Sequence, residues 1–208
     1  MTGGSSPLTT VWLARHGEVH NPSELLYGRL PRMGLSLEGE RQARALADFL
    51  APRPLSAIYS SPLLRARRTA AVILERQPGL RRVRINSGLI EVRTAWEGHP
   101  LKALEQIGWD FYTHPRDPED DSLQIIRDRM QRWLKRVLRR HPGSEVVGVS
   151  HGDPVLILVG SVQGAPLEPR ALFPQPYIEP ATVYRMRFDA NGALDEINMH
   201  VPHAQAAA

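Results

Sequence analysis

The chain has 208 residues, of which 26 are lysine or arginine, 22 are aspartate or glutamate and none is cysteine. The lack of cysteine excludes disulfide bonds, thiolate metal sites and a thiol nucleophile. The formal net charge of +4 is modest for this length and suits an anionic substrate as well as nucleic acid. We expect one domain over residues 8–203, with flexible termini at 1–7 and 204–208.

Neither a membrane span nor a secretion signal is visible in the sequence. No apolar run is long enough to cross a bilayer, and the first residues lack the basic and apolar regions of a signal peptide. We therefore expect a cytoplasmic protein with no membrane partner.

The first half of the chain alternates between predicted strands and helices. β-branched and apolar residues predict strands over 9–14, 55–59 and 82–85. Ser36 is the predicted N-cap of a helix that ends near Leu50, after a loop over 20–35 that is rich in glycine and proline. A second helix is predicted to begin at Ser60-Ser61-Pro62, with serine as N-cap and proline at the first helical position, and to end near Arg76.

The second half begins with an irregular stretch over 91–118 and then becomes regular. Apolar residues at helical spacing predict an amphipathic helix over 122–140, followed by a strand over 145–149 and a helix from Asp153 to about Val162. Two further strands, 182–188 and 194–200, are predicted to form a hairpin. The alternation favours an α/β three-layer sandwich, with a mostly parallel central sheet, helices on both faces and a small cap insertion at about 93–122.

Candidate catalytic residues follow the predicted strands. Two strands end at His16 and His151, and a third ends one turn before Arg65, so their side chains are expected at the same sheet edge. Neutral imidazole is a nucleophile suited to phosphoryl transfer, and guanidinium groups match phosphate oxygens. His16 can attack phosphorus, Arg15 can help hold the phosphate, and Glu91 can protonate the leaving oxygen if burial raises its pKa.

Five stretches of the sequence, in this order over residues 9–160, resemble the motifs of the histidine phosphatase (phosphoglycerate mutase-like) superfamily. A single Arg-His-Gly is uninformative, whereas five motifs in the family's order are specific. The matching residues are Arg15-His16-Gly17-Glu18, Leu35 to Ala43 (LSLEGERQA), Tyr59 to Ala70 (YSSPLLRARRTA), Leu89-Ile90-Glu91 with Trp96-Glu97-Gly98, and Val149-Ser150-His151-Gly152.

The resemblance implies a role for each matching residue. His16 would become the phosphohistidine, while Arg15, Arg65 and His151 would form the phosphate pocket. Glu91 would be the general acid and then the base that activates water. Neither a metal nor an organic cofactor is implied, and the expected partner is a small phosphorylated substrate rather than nucleic acid.

Two further residues are carried over as substrate-binding, and the chain departs from the family pattern near both. Gly17 follows the nucleophile, and Asn21 matches an asparagine that contacts phosphate in the family. However, Val19 stands where the family commonly has threonine or serine, and Asn21 comes one residue earlier than in the mutases. Arg68 replaces a frequent glutamine and adds a positive charge.

The distance along the chain between two of these residues favours hydrolysis over isomerisation. From Glu91 to His151 is 151 − 91 = 60 positions, whereas the cofactor-dependent mutases of the family carry a longer insertion there. We expect a phosphomonoesterase, with phosphoglycerate mutase-type phosphoryl transfer as the nearest alternative. The sequence leaves the substrate open, and it leaves open whether the protein is a monomer or a homodimer.

Two alternatives belong to other functional classes. A metal-dependent hydrolase could use the spacing of His16 and His20, but Gly17 and Pro22 oppose a helix there and no His-Glu-x-x-His run exists. A non-enzymatic binder could use the basic face from Arg127 to Arg140, although aromatic residues do not alternate with those charges as in nucleic-acid sites. Within the phosphatase hypothesis, Glu97 is a rival to Glu91 as the acid.

Overall fold

A computed structural model of the chain describes residues 8–205. Within that range one six-stranded sheet has the order β3-β2-β4-β1-β5-β6, in which β1 to β4 run parallel and β5 and β6 are antiparallel additions. The mostly parallel α/β sheet expected from the sequence is confirmed. The strands are β1 (Thr9–Arg15), β2 (Leu55–Ser60), β3 (Val83–Ile85), β4 (Glu145–Ser150), β5 (Val183–Phe188) and β6 (Leu194–His200).

Helices cover both faces of this sheet. Alternate residues of β1 contact opposite layers, since Trp12 and Ala14 pack in a core with helices α1 and α2, whereas Val11 and Leu13 pack in a core with α4 and α5. The predicted three layers are therefore present. The helices are α1 (Leu37–Leu50), α2 (Leu64–Glu75), α3 (Leu101–Glu105), α4 (Leu123–Arg140), α5 (Gly152–Val162), α6 (Pro169–Leu172) and α7 (Pro202–Gln205), with a 3₁₀ turn at Ser87–Leu89.

The register of the parallel strands places three loops side by side. Arg15 pairs with Ser150, and Ser60 pairs with Val149 of the same central strand β4. The residues that follow these strands are His16, Ser61 and His151, so all three leave the sheet at one edge. The sheet thus brings together side chains that are far apart in the sequence.

The predicted start of the second helix is wrong. α2 begins at Leu64, and Leu63 occupies its N-cap position with a side chain that has no hydrogen-bonding group. The Ser61 hydroxyl instead contacts His151 at 2.7 Å and accepts a bond from the Leu63 N–H at 3.3 Å. The predicted N-cap of α1, Ser36, is confirmed by a side-chain hydrogen bond. Ser122, predicted as the first residue of a helix, is instead the N-cap of α4.

The segment from 93 to 122, predicted as a cap insertion, folds back on itself. The Asp121 N–H donates to the Arg93 carbonyl at 2.8 Å, which brings the two ends of the segment together. The Trp96 indole N–H donates to the His114 carbonyl at 3.0 Å, so the segment also has internal bonds. Apart from α3 and an isolated bridge between Pro100 and Leu25, it contains no helix or strand.

The predicted flexible ends lie mostly outside the described residues, which exclude 1–7 and 206–208. Ala204 and Gln205 end α7. Among residues 8–205, no helix combines the length and the apolar character that crossing a bilayer requires.

A close backbone approach at the start of α1 gives a stability prediction. A Cβ atom added at Gly39 would lie 2.0 Å from the Glu18 carbonyl oxygen. Gly39→Ala is expected to lower the free energy of unfolding by about 2 kcal/mol, because backbone must move, and thermal unfolding should occur roughly 4–8 °C lower. Gly79→Ala is the control, since its Cβ would meet nothing within 4 Å. Equal melting temperatures for the two variants would contradict the prediction.

Candidate active site

His16 lies at the centre of the site, directly after β1, and its side chain is buried. Its Nδ1 is 2.7 Å from the Gly17 carbonyl oxygen, which can only accept a hydrogen bond, so Nδ1 carries the proton. The lone pair of neutral His16 is therefore on Nε2, which accepts a bond from the Arg65 Nε–H at 3.0 Å. A nucleophilic nitrogen and a guanidinium thus face each other.

The electrostatic surroundings keep this histidine neutral. Burial lowers the pKa of His16 well below its ordinary value, and the positive charges of Arg65 and Arg15 lower it further. A neutral imidazole retains the lone pair that a nucleophile needs. At neutral pH His16 is therefore in the form that could act as a nucleophile.

Arg65 is buried at the start of α2 and contacts several parts of the site. Its Nη2 donates to the Gly28 carbonyl at 2.7 Å and lies 3.7 Å from Glu91 Oε2. The guanidinium also stands over the Tyr27 ring, 4.8 Å from its centroid. These contacts aim a planar donor group at the space beside His16, where it could grip phosphate oxygens.

His151 is the second buried imidazole, and its ring centroid is 5.1 Å from that of His16. Its Nε2 contacts the Ser61 hydroxyl at 2.7 Å. That hydroxyl already accepts from the Leu63 N–H, which favours donation of its own proton to Nε2 and leaves the His151 proton on Nδ1. Nδ1 has no hydrogen-bond partner within residues 8–205 and points toward Glu91 Oε2, 3.5 Å away.

Glu91 follows the 3₁₀ turn and completes the group. Desolvation by burial raises its pKa to about 7, although the positive charge of Arg65 opposes the shift and the negative charge of Asp153 supports it. A carboxyl group with this pKa is populated in both protonation states at neutral pH. Glu91 can therefore give up a proton in one step and accept one in the next.

Glu97, the rival acid, is used elsewhere. Its Oε2 accepts a hydrogen bond from the backbone N–H of Arg29. A Cβ atom added at Gly28 would lie 2.6 Å from the same oxygen, so Glu97 packs closely against this loop. Glu97 thus braces the loop whose Gly28 carbonyl holds Arg65. The geometry favours Glu91 over Glu97 as the acid.

Two arginines hold the backbone on which Glu91 stands. The Glu91 carbonyl accepts bonds from Arg29 Nε at 2.9 Å and from Arg129 Nη2 at 3.2 Å. Both guanidinium groups also contact the Asp121 carboxylate, at 2.7 and 3.9 Å. Because three separate segments meet on one peptide group, the position of the Glu91 side chain is closely defined.

Arg15 lies at the other side of His16. Its Nη1 donates to the Ile178 carbonyl, and its guanidinium stands over the Tyr177 ring at 5.2 Å. Its buried Nε has no hydrogen-bond partner in the described part of the chain. The structure therefore brings Arg15, His16, Arg65, Glu91 and His151 together as the sequence predicts.

The other two predicted substrate-binding residues have different contacts. The Gly17 N–H donates to Thr69 Oγ1 at 3.1 Å, so it supports the His16 loop rather than offering a free donor. The Asn21 amide bonds the Leu25 backbone twice, at 2.9 Å through Nδ2 and at 3.2 Å through Oδ1. Asn21 thus stabilises its own loop, and phosphate binding by it stays a prediction.

The three titratable groups could also be considered as metal ligands. One atom each from His16, Glu91 and His151 lies within 4.8 Å of the others. However, the Arg65 guanidinium bonds the Nε2 lone pair that a metal would need, and a second cation, Arg15, is nearby. This positive surrounding suits an anion better than a metal ion.

Several contributing residues were missed from the sequence. Ser61 and Thr69 orient the two histidine loops, and Asp121 with Arg129 supports Glu91. Thr69 could have been found from its spacing, because it follows Arg65 by one helical turn on α2. In the structure its hydroxyl also donates to the Arg65 carbonyl at 2.9 Å. The others are joined only by the tertiary fold and leave no local pattern.

Comparison with known proteins gives a family match. Residues 11–199 match the family model described as "Histidine phosphatase superfamily (branch 1)". The chain is similar to "Uncharacterized phosphatase PhoE" of Bacillus subtilis (strain 168), with 30% identity over 158 residues that cover 76% of this chain and 79% of the relative. It is equally similar to "Probable phosphoglycerate mutase GpmB" of Serratia proteamaculans (strain 568), with 30% identity over 167 residues and 75% of each chain covered.

A solved structure has the same fold. "Bacillus stearothermophilus YhfR" superposes with a TM-score of 0.79 and 25% sequence identity, covering 90% of this chain and 94% of its own.

The raised pKa of Glu91 can be measured directly. In protein labelled with carbon-13 at glutamate carboxyl groups, we expect one carboxyl resonance to titrate near pH 7, because burial disfavours the charged form. That resonance should disappear in Glu91→Gln and persist in Glu97→Gln. Titration of Glu91 in the range of ordinary exposed glutamates would contradict the burial argument.

Proposed function

Because the chain belongs to the histidine phosphatase superfamily, we propose that it is a metal-independent phosphomonoesterase that acts through a phosphohistidine intermediate. The observation that carries this proposal is the state of His16, whose Nδ1 proton is bonded to the Gly17 carbonyl while Nε2 faces Arg65. The substrate is a small phosphorylated metabolite, and we propose that the protein acts on it in the cytoplasm.

In the first step, the Nε2 lone pair of His16 forms a bond to phosphorus while the ester P–O bond breaks. The electron pair of that bond leaves with the alcohol oxygen, which takes the proton of Glu91. Arg15, Arg65 and His151 stabilise the charge that spreads over the non-bridging oxygens. The products of this step are the free alcohol, phosphohistidine and a Glu91 carboxylate.

In the second step, water is the acceptor. The Glu91 carboxylate takes a proton from water, the water oxygen bonds to phosphorus, and the His16–phosphorus bond breaks. Inorganic phosphate and neutral His16 result, and Glu91 is protonated again. One residue can serve in both directions because its pKa is about 7.

The nearest competing function is phosphoryl transfer of the phosphoglycerate mutase type, which one similar protein's name favours. The two reactions share the first step and differ in what accepts the phosphoryl group. The short stretch of 60 positions from Glu91 to His151 supports water as the acceptor. Assay of 3-phosphoglycerate for isomerisation and for phosphate release, in parallel, separates the two.

His16→Ala is expected to reduce hydrolysis of p-nitrophenyl phosphate by on the order of 10³-fold or more, because no other group can form the covalent intermediate. The wild-type activity should survive EDTA. His141→Ala is the control, since His141 precedes β4 and lies at the opposite edge of the sheet. Full activity of His16→Ala, or complete loss of wild-type activity in EDTA, would overturn the proposed mechanism.

Glu91→Gln is expected to distinguish leaving groups. For an alkyl phosphate, kcat/KM should fall by about 10²- to 10³-fold, because the poor leaving group needs a proton. For p-nitrophenyl phosphate, whose leaving group is stable as an anion, the fall should be much smaller. The ratio kcat/KM reports only the first step, so the later role of Glu91 as base does not enter. Equal losses for both substrates would mean that Glu91 is not the acid.

A further inference from the structure

Asp153 carries a carboxylate that the proposed reaction does not use. It lies in the first turn of α5, two residues after His151. Its Oδ2 accepts a hydrogen bond from the Tyr112 hydroxyl at 2.6 Å, and its Oδ1 accepts one from the Tyr177 hydroxyl. Within the described residues, two tyrosines rather than a basic side chain therefore hold this carboxylate.

The two tyrosines come from different sides of the site. Tyr112 belongs to the cap insertion and stacks on Phe173, with ring centroids 5.6 Å apart and planes inclined by 19°. Tyr177 belongs to the loop before β5, and its ring lies under the Arg15 guanidinium. Asp153 is the group that both hydroxyls share.

The packing around this bridge is tight. A Cβ atom added at Gly152 would lie 2.1 Å from the Tyr177 hydroxyl oxygen, so this tyrosine is seated against the backbone at the start of α5. The next residue along the loop, Ile178, supplies the carbonyl that binds Arg15. A displacement of Tyr177 would therefore move two contacts of Arg15.

We propose that Asp153 is a positioning residue of this site, whose carboxylate joins Tyr112 of the cap insertion to Tyr177 beside Arg15 and so fixes the cap insertion against the phosphate-binding side of the pocket. On this proposal the cap insertion contacts the alcohol part of the substrate. The inference rests on the proposed phosphatase function and adds a bridge between its two halves. Small displacements of such groups have large effects on rate, because catalysis depends on orientation.

The charge of Asp153 has a second effect, on the acid. Its negative charge is one of the causes that raise the pKa of Glu91, after desolvation and against Arg65. The other charged or titratable groups near Glu91 are Arg29 of the loop between β1 and α1, Arg129 of α4, the two histidines, and Tyr112 and Tyr177 themselves. Loss of the Asp153 charge alone should lower the pKa of Glu91.

Three variants separate these effects. Asp153→Asn removes the charge and replaces one of the two acceptor oxygens with an NH₂ donor, at nearly constant volume. Tyr112→Phe removes only the bond to the cap, and Tyr177→Phe removes only the bond beside Arg15. The matched control is Tyr59→Phe. This change deletes a hydroxyl bonded to His141 at 3.0 Å, away from the residues of the candidate active site.

Each variant has its own expected result. The value of kcat/KM should fall at high pH as Glu91 loses its proton. In Asp153→Asn this fall should move to lower pH by roughly half a unit, because the pKa of Glu91 is lower. In Tyr112→Phe the fall should stay at the wild-type pH, while KM for a phosphate ester with a bulky alcohol rises by about 3- to 10-fold. In Tyr177→Phe, inhibition by inorganic phosphate should weaken by a similar factor.

A readout independent of turnover keeps this inference separate from the proposed function. Amide hydrogen exchange of residues 110–114 should accelerate in Tyr112→Phe and Asp153→Asn, and not in Tyr59→Phe. If the wild type released phosphate from no ester, the proposed function would fail, whereas exchange would still test the bridge.

The positioning role is overturned if the Asp153 and Tyr112 variants match Tyr59→Phe in exchange, pH profile and KM. It is also overturned if they merely melt at lower temperature while these three measurements stay at wild-type values.

Discussion

The buried guanidinium of Arg65 acts on each of the titratable groups around it. It bonds the His16 lone pair at 3.0 Å and lies 3.7 Å from the Glu91 carboxyl group. Desolvation by burial lowers the pKa of His16 and of His151, and the charge of Arg65 lowers both further. A cation buried in this way is costly unless polar groups surround it. The Gly28 carbonyl, the His16 Nε2 and the face of Tyr27 supply that surrounding.

Much of the secondary structure around Arg65 serves to hold it in place. α2 starts at Leu64, so Arg65 is in the first turn and its chain enters the pocket between the β1 and β4 loops. Thr69, one turn later, bonds both the Arg65 carbonyl and the Gly17 N–H. The helix that carries Arg65 is thereby joined to the loop that carries His16 through one hydroxyl, in addition to the bond between Arg65 and His16 themselves.

The residues that could be predicted from the sequence are those that the sheet itself positions. Parallel strands end at one edge, so His16 and His151 had to meet once their strands were recognised, and the motif around Arg65 placed it nearby. Ser61 looked like an N-cap because serine before proline usually is one, but here its hydroxyl is engaged by His151 from another strand. Local preference was overridden by a contact across the sheet.

The contacts that could not be predicted from the sequence involve residues in loops. Asn21 has a side chain suited to phosphate, yet its amide closes a turn with Leu25, and nothing in the residue type separates these uses. Asp153 meets Tyr112 from 41 positions away and Tyr177 from 24 positions away. Contacts at such separations in irregular segments follow no periodicity, so they become visible only when the chain has folded.

Glu91 shows why an acid can stand next to a buried cation and still retain its proton. Arg65 alone would hold its carboxylate charged, but desolvation outweighs that attraction and the Asp153 charge adds to the desolvation effect, so the pKa reaches about 7. When Glu91 is protonated it carries no charge, so it does not neutralise the positive charges of Arg65 and Arg15. In the proposed reaction, the phosphate group of the ester would meet those charges, and the leaving oxygen would take the Glu91 proton.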